Sequence, residues 1–227
     1  MKIQSFVKRL NATELGLGAT HDAYIAIPSE VDLSFMLEHQ KVLNPVNRYS
    51  GGVYKPDGSE FKYVQTGQNN QERISGLGEF YIQTGAKVGD EILVEKIEHD
   101  SGSVQYYIDL CHRHAIVFQV NSIKGTRCVD ILPNDLIEKY ANGDNYDFQV
   151  IYNGSPHSLE VRFMVEAKKK KTSPKATKFY DLLIDGESIL SGYTYQEYIE
   201  LVTDGMRLGR MKTYWYSILK MMEDKDE

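Results

Sequence analysis

Short apolar segments separated by polar turns run through the first half of the chain. Residues 3–7 (IQSFV) mix apolar and polar positions and predict a strand. Residues 24–28 (YIAIP) predict a compact strand ended by proline, which removes a backbone donor. Glycine and polar residues between them, at 14–22, predict a turn. Residues 30–39 (EVDLSFMLEH) place Val31, Phe35 and Met36 or Leu37 on one side of a short amphipathic helix. Residues 45–59 are rich in Pro, Gly, Asn and Ser and predict a loop. Further strands are expected at 61–64, 80–82, 91–97 and 103–110, with turns at 87–90 and 100–102. Many short strands with closely spaced turns point to a barrel or sandwich.

The second half changes character. Residues 132–141 (LPNDLIEKYA) carry helix-start chemistry in Pro133, Asn134 and Asp135, with Gly143 as a stop. Residues 148–152 and 159–167 alternate as two strands, joined by Asn153-Gly154-Ser155-Pro156. A basic run, Lys168 to Lys171, leads through Thr172-Ser173-Pro174 into a helix expected to reach Leu183. Residues 194–203 and 206–222 predict amphipathic helices. The expected division is 1–125 for a β domain and 126–227 for a smaller α+β or α/β region.

Composition adds limits. With 227 residues the chain is long enough for a real core, and its 41% hydrophobic content is that of an ordinary globular protein. No apolar run approaches the roughly 20 residues of a membrane-spanning helix, and the start MKIQSFVKRL lacks a secretory apolar stretch. Two cysteines make no disulfide framework, so the cytoplasm is the expected setting. The net charge of −6 is unfavourable for a nucleic-acid binder. Both sides of residue 125 carry −3, from 12 basic against 15 acidic and from 14 against 17. Any binding face must therefore be a local one.

Two motifs change this picture. Lys8 to Pro28 (KRLNATELGLGATHDAYIAIP) resembles, without a gap, the opening of the N-terminal domain of the EcoRII restriction endonuclease family. That family shows a KRLxA start, a Gly/Thr-rich turn, a histidine and an apolar strand ending in IP. Asn70-Gln71-Glu72-Arg73-Ile74-Ser75 is similar to the family's polar loop NxxRIT, at a similar spacing. Gly89-Asp90 followed by a strand is similar to its closing strands. The resemblance spans roughly residues 5–112. It implies a mainly β fold: a seven- or eight-stranded DNA-binding pseudobarrel, shared with plant transcription factors. In that fold two arms enter the major groove, here about residues 8–24 and 66–77.

The side chains suit that role. Asn and Gln read adenine, Arg and Lys read guanine, and a carboxylate accepts from cytosine. The first arm offers Lys8, Arg9, Asn11, Thr13, Thr20, His21, Asp22 and Tyr24. The second offers Gln68, Asn69, Asn70, Gln71, Glu72, Arg73 and Ser75. Gly16 and Gly18 allow close approach to phosphate or positive-φ turns. The second arm has fewer basic residues than the family's, with Glu72 directly before Arg73.

Restriction enzymes often cut with two carboxylates that bind Mg²⁺ and a lysine that orients water. The candidates are Asp147 and Glu166 as catalytic metal ligands, with Lys168 beside them. A zinc site built on Cys111, His112 and His114 would need Cys128 or His157 as well. No phosphate-binding GxxxxGKS loop is present.

The sequence thus predicts duplex DNA recognition within a restriction-modification system, as a type II restriction endonuclease or its recognition part. The alternative is a non-catalytic DNA-binding module or a transcription-factor-like barrel. The region beyond 125 is a compact nuclease core, a connector to a separate catalytic domain or subunit, or a homodimerisation module.

Overall fold

The computed structural model describes residues 2–17, 21–27, 46–47, 52–53, 62–66, 71–133, 136–168, 176–212 and 219–222. The fold is mainly β, with one α-helix among the described residues. The backbone forms two compact units, residues 1–112 with 213–227, and residues 113–212.

The first unit contains β1 (Lys2–Arg9), β2 (Tyr24–Ala26), β3 (Val46–Asn47), β4 (Gly52–Val53), β5 (Lys62–Thr66) and β6 (Gln71–Ser75). It continues with helix α1 (Gly78–Thr84), β7 (Glu91–Glu98) and β8 (Val104–Cys111). The second unit contains β9 (Ala115–Ile123), β10 (Thr126–Ile131), β11 (Ala141–Asn142), β12 (Asn145–Tyr152) and β13 (Ser155–Ala167). It ends with β14 (Thr177–Ile184), β15 (Glu187–Ser188), β16 (Tyr198–Val202) and β17 (Arg207–Arg210). The chain then returns to the first unit as β18 (Leu219–Met222).

In the first unit, β18-β1-β7-β8 form an antiparallel sheet and β2-β6-β5 a second one. Period-two alternation sends Phe6, Ile92, Val94, Ile108 and Leu110 from the first sheet into one core with Ile25 and Ile74 from the second. Helix α1 closes this core with Phe80 and Tyr81, next to Leu77. The strand expected at 80–82 is therefore a helical turn. Leu77, Phe80 and Tyr81 stand three and four apart and are buried, whereas Ile82 is 74% exposed. A three-residue apolar run fits either period, and Gly85 (φ 64°) ends the helix in a left-handed cap.

The second unit departs from the expected α+β or α/β region. Its described residues contain two short 3₁₀ turns and no α-helix. The strands join in the order β10-β9-β16-β17-β12-β13-β14, and β14 returns to β10 through Tyr180 opposite Val129. Seven strands thus close a ring, with one parallel seam at Ile151 opposite Arg207. Phe118, Val150, Leu159, Leu182, Ile199 and Leu201 fill its interior.

Three expected helices are strands here. Residues 174–183 yield β14, where Phe179, Leu182 and Leu183 mimic a helical stripe, but Tyr180 and Ile184 are buried too. Residues 194–203 yield β16, drawn into register along β9 from Tyr198 opposite Gln119 to Val202 opposite Ala115. Residues 206–222 hold β17 and β18. Pairing with distant strands outweighs the weak local helix preference. The helix expected at 132–141 is a 3₁₀ turn at Ile137–Tyr140. The helix expected at 30–39 lies outside the described residues.

The expected boundary at 125/126 falls in the tight turn Lys124-Gly125 (φ 50° and 85°) that joins β9 to β10. Turn residues mark a hairpin as readily as a domain edge. The units divide at His112/Arg113 instead. Asn153-Gly154 (φ 49° and 85°) makes the predicted turn between β12 and β13.

Phe118 is fully buried inside the ring. Phe118→Ala should cost about 3–5 kcal/mol through lost burial and a residual cavity. Urea unfolding followed by circular dichroism measures this loss.

Candidate nucleic-acid interface

The segment between β1 and β2 is anchored by a buried ion pair. Lys8 and Glu14 side chains are each 1% exposed and in direct contact. Lys8 Nζ also donates to the Ala26 carbonyl at 3.0 Å, and Glu14 Oε1 accepts the Ala26 amide at 2.9 Å. The pair thus ties the end of β1, the turn after it and the end of β2 together. Asn11 and Glu14 close the turn reciprocally. The Glu14 amide donates to Asn11 Oδ1 at 3.0 Å, and the Asn11 amide donates to Glu14 Oε2 at 3.2 Å. This is capping-box geometry, and Asn-x-x-Glu was its sequence signal.

Arg9 is also buried, its Nε donating to the Gly89 carbonyl at 2.7 Å. Lys8 and Arg9, expected as DNA contacts, therefore serve inside the fold. A charged group that finds a carboxylate or carbonyl within the protein loses less by leaving water. The inward turn of Glu14 is not legible in the sequence, because spacing alone does not show which way a carboxylate faces.

Beyond this anchor the segment forms a hairpin-like arm. Leu15 pairs with Ala23, and the Tyr24 amide donates to the Glu14 carbonyl at 2.9 Å. Gly16 (φ 74°) lies so close to His21 that a Cβ there would meet the His21 carbonyl oxygen at 3.0 Å. Only glycine fits this approach without strain. Thr13, Leu17, His21 and Asp22 are exposed, Leu17 at 67%. His21 has φ 56°, a left-handed conformation that histidine adopts more readily than most residues. Thr20 lies outside the described residues.

The second arm is the β5–β6 hairpin. Thr66 stands opposite Gln71 and Lys62 opposite Ser75. Gln71, Glu72, Arg73 and Ser75 lie on β6, whereas Gln68, Asn69 and Asn70 lie outside the described residues. Strand β6 also pairs with β2, Tyr24 opposite Ser75 and Ala26 opposite Arg73. On this ladder the Arg73 guanidinium stacks 4.2 Å over the Tyr24 ring. Tyr24 is buried beneath it, and its carbonyl accepts the Tyr81 hydroxyl at 3.2 Å. Burial, then the Glu14 charge, hold the Tyr81 hydroxyl well above its usual range, so it stays a donor. Tyr24 thus positions Arg73 and is closed to direct base contact.

The first arm enters β2 at Tyr24, opposite Ser75 at one end of β6, and the second joins β5 to β6 at Gln71, the other end. Four residues of strand separate these points by about 13 Å. That is close to the roughly 12 Å width of the major groove.

The expected catalytic trio is not brought together. Asp147 on β12 is exposed, accepts Asn142 Nδ2 at 2.6 Å and stands opposite Glu160. Glu166 lies six residues further along β13, opposite Lys178. That spacing is about 20 Å along a strand, far beyond a shared Mg²⁺ with oxygen ligands at about 2 Å. Lys168 is exposed just past the end of β13. Among the described residues no group of three His, Cys, Asp or Glu is placed to hold a metal ion.

The residues considered for zinc are separately engaged. His112 Nδ1 lies 2.9 Å from Asp90 Oδ2, and Cys111 is exposed. Cys128 is buried, and burial, then Asp130, raises its thiol pKa. His157 Nδ1 lies 2.7 Å from Asp185 Oδ2, and Asp185 Oδ1 accepts the Ser158 amide at 2.9 Å. Comparison of the chain with known protein families, with curated proteins and with solved structures gives no match.

Glu14→Ala leaves Lys8 buried with its carboxylate partner removed and should cost about 3–5 kcal/mol in urea unfolding. The Lys8→Met/Glu14→Leu double variant should recover part of that loss, because neither charge is then stranded. The bonds from His157, first, and from the Ser158 amide hold the Asp185 carboxyl below its usual value. Its contribution is present above an ordinary aspartate pKa of about 3.9 and is lost as pH falls through the folded value. Asp185→Asn should therefore flatten the acid limb of a plot of Tm against pH.

Proposed function

We propose that residues 1–112 recognise a short sequence in duplex DNA, within a restriction-modification system, through the arm between β1 and β2 and the β5–β6 hairpin. Two sheets and a helix around one core fit the pseudobarrel implied by the resemblance to the EcoRII family. The observation that carries the reading is that both arms join one three-stranded sheet, β2-β6-β5, at points about a groove width apart. The first arm is held from within by Lys8 and Glu14. Its exposed polar residues, Thr13, His21 and Asp22, are left for contact. An anchored loop loses little entropy when it meets its ligand. Arg73, stacked on Tyr24, supplies a cation between the two arms.

The separation of Asp147 from Glu166 favours a binding module over a nuclease built from this trio. Cleavage in such a system then belongs to a separate catalytic domain or subunit, and this chain takes no Mg²⁺ through Asp147 and Glu166.

Selection of bound duplexes from a random library by the full chain tests the proposal. A short enriched motif is expected. His21→Ala and Asp22→Ala should each weaken binding to that motif by about 1–3 kcal/mol, leaving Tm unchanged. A library without enrichment, or variants that bind the motif as wild type does, would overturn it.

A further inference from the structure

The arm between β1 and β2 carries one large apolar side chain that nothing in the fold uses. Residues 11–17 form a single helical turn closed at both ends. Asn11 and Glu14 cap its start. At its end the Gly16 amide donates to the Thr13 carbonyl at 3.1 Å, and the Leu17 amide donates to the Ala12 carbonyl at 3.0 Å. With Gly16 left-handed at φ 74°, these two bonds make a Schellman cap, and Leu17 is the residue after its glycine.

An apolar residue at that place usually rests on side chains five or six positions before it. Here those are Ala12, with a single methyl group, and Asn11, which is turned to the Glu14 amide. Leu17 is therefore left 67% exposed, outside the core that takes up Leu15 and Ala23 of the same arm. Single exposed leucines are common on protein surfaces. This one differs in its support, because its backbone is fixed by the cap and the turn is anchored on the buried Lys8–Glu14 pair. Gly16 packs against the His21 carbonyl, so Leu17 and His21 leave the arm at neighbouring points.

We infer that Leu17 covers the 5-methyl group of a thymine in the major groove and so makes the first arm select thymine at one position. The inference deepens the proposed function and rests on it for the choice of partner. Thymine is the base that presents an apolar group in that groove. Polar neighbours such as His21 and Asp22 can bond to base edges, but they gain nothing from a methyl group. A leucine gains by the apolar area that both partners remove from water. A side chain carried on a fixed turn also loses little freedom when it docks.

The test uses the full chain and the duplex that it selects from a random library. Each thymine of that duplex is replaced in turn by deoxyuridine, which removes the 5-methyl group and keeps every hydrogen-bonding atom. At one position wild type should lose about fourfold in affinity, the worth of one buried methyl group. Leu17→Ala should bind the thymine duplex about fourfold or more weakly and be indifferent to deoxyuridine at that position. Its slope of log K against log salt should match wild type, because no phosphate contact is lost. Leu17→Met, which keeps an apolar side chain of similar volume, should remain sensitive to deoxyuridine and serves if Leu17→Ala does not fold. A selected duplex without A·T pairs overturns the inference while sequence reading by the arms stands, as does one in which wild type feels no deoxyuridine. A deoxyuridine effect of equal size in wild type and Leu17→Ala overturns it as well. Weaker binding by Leu17→Ala, when wild type ignores every methyl group, overturns it in favour of a wedge between bases. If wild type selects no duplex, the reading of the arms and this inference fall together.

Discussion

Two opposite charges lie inside the first unit, and much of its geometry depends on their meeting there. Removing Lys8 and Glu14 from water is costly, and neither charge is tolerable in a core without the other. Each side chain also takes a backbone group of Ala26, so the ion pair fixes more than itself. It ties the end of β1 to the end of β2. Asn11 then folds the intervening turn back onto Glu14. The pairing of Leu15 with Ala23 follows directly on this buried contact.

Strand β6 extends the same logic outward. It is the middle strand of β2-β6-β5, so whatever happens at its two ends is held to one ruler. Ile74 faces the core, while Arg73 lies over Tyr24. Tyr24 in turn rests on the Tyr81 hydroxyl from α1. A path of direct contacts therefore runs from the helix to the guanidinium. Residues that look suited to a ligand in the sequence, Lys8, Arg9 and Tyr24, form the support, and their exposed neighbours Thr13, His21 and Asp22 form the surface.

The second unit reaches closure by a different route. Its ring is held by long antiparallel ladders and two narrow seams, Ile151 with Arg207 and Val129 with Tyr180. Such a ring leaves its strands no free edges where it is closed, and among the described residues β13 runs past β12 from Arg162 to Ala167, paired with β14.

Much of the local structure was legible in the chain itself. Alternation located β12 and β13, short segments bounded by turns located β1, β7 and β8, and Asn153-Gly154 announced its turn, because these signals depend on neighbours a few residues away. The polar character of both arms could be read in the same way. The strands β14, β16 and β17 could not, since their apolar spacing also fits a helix and only partners far along the chain decide between the two. The inward turn of Lys8 and Arg9 was equally hidden: a charged residue is buried only if a distant carboxylate or carbonyl waits for it. The distance from Asp147 to Glu166 depended on strand register, which no residue spacing specifies. Sequence determined which segments alternate and which carry charge; tertiary pairing decided which of those charges face water.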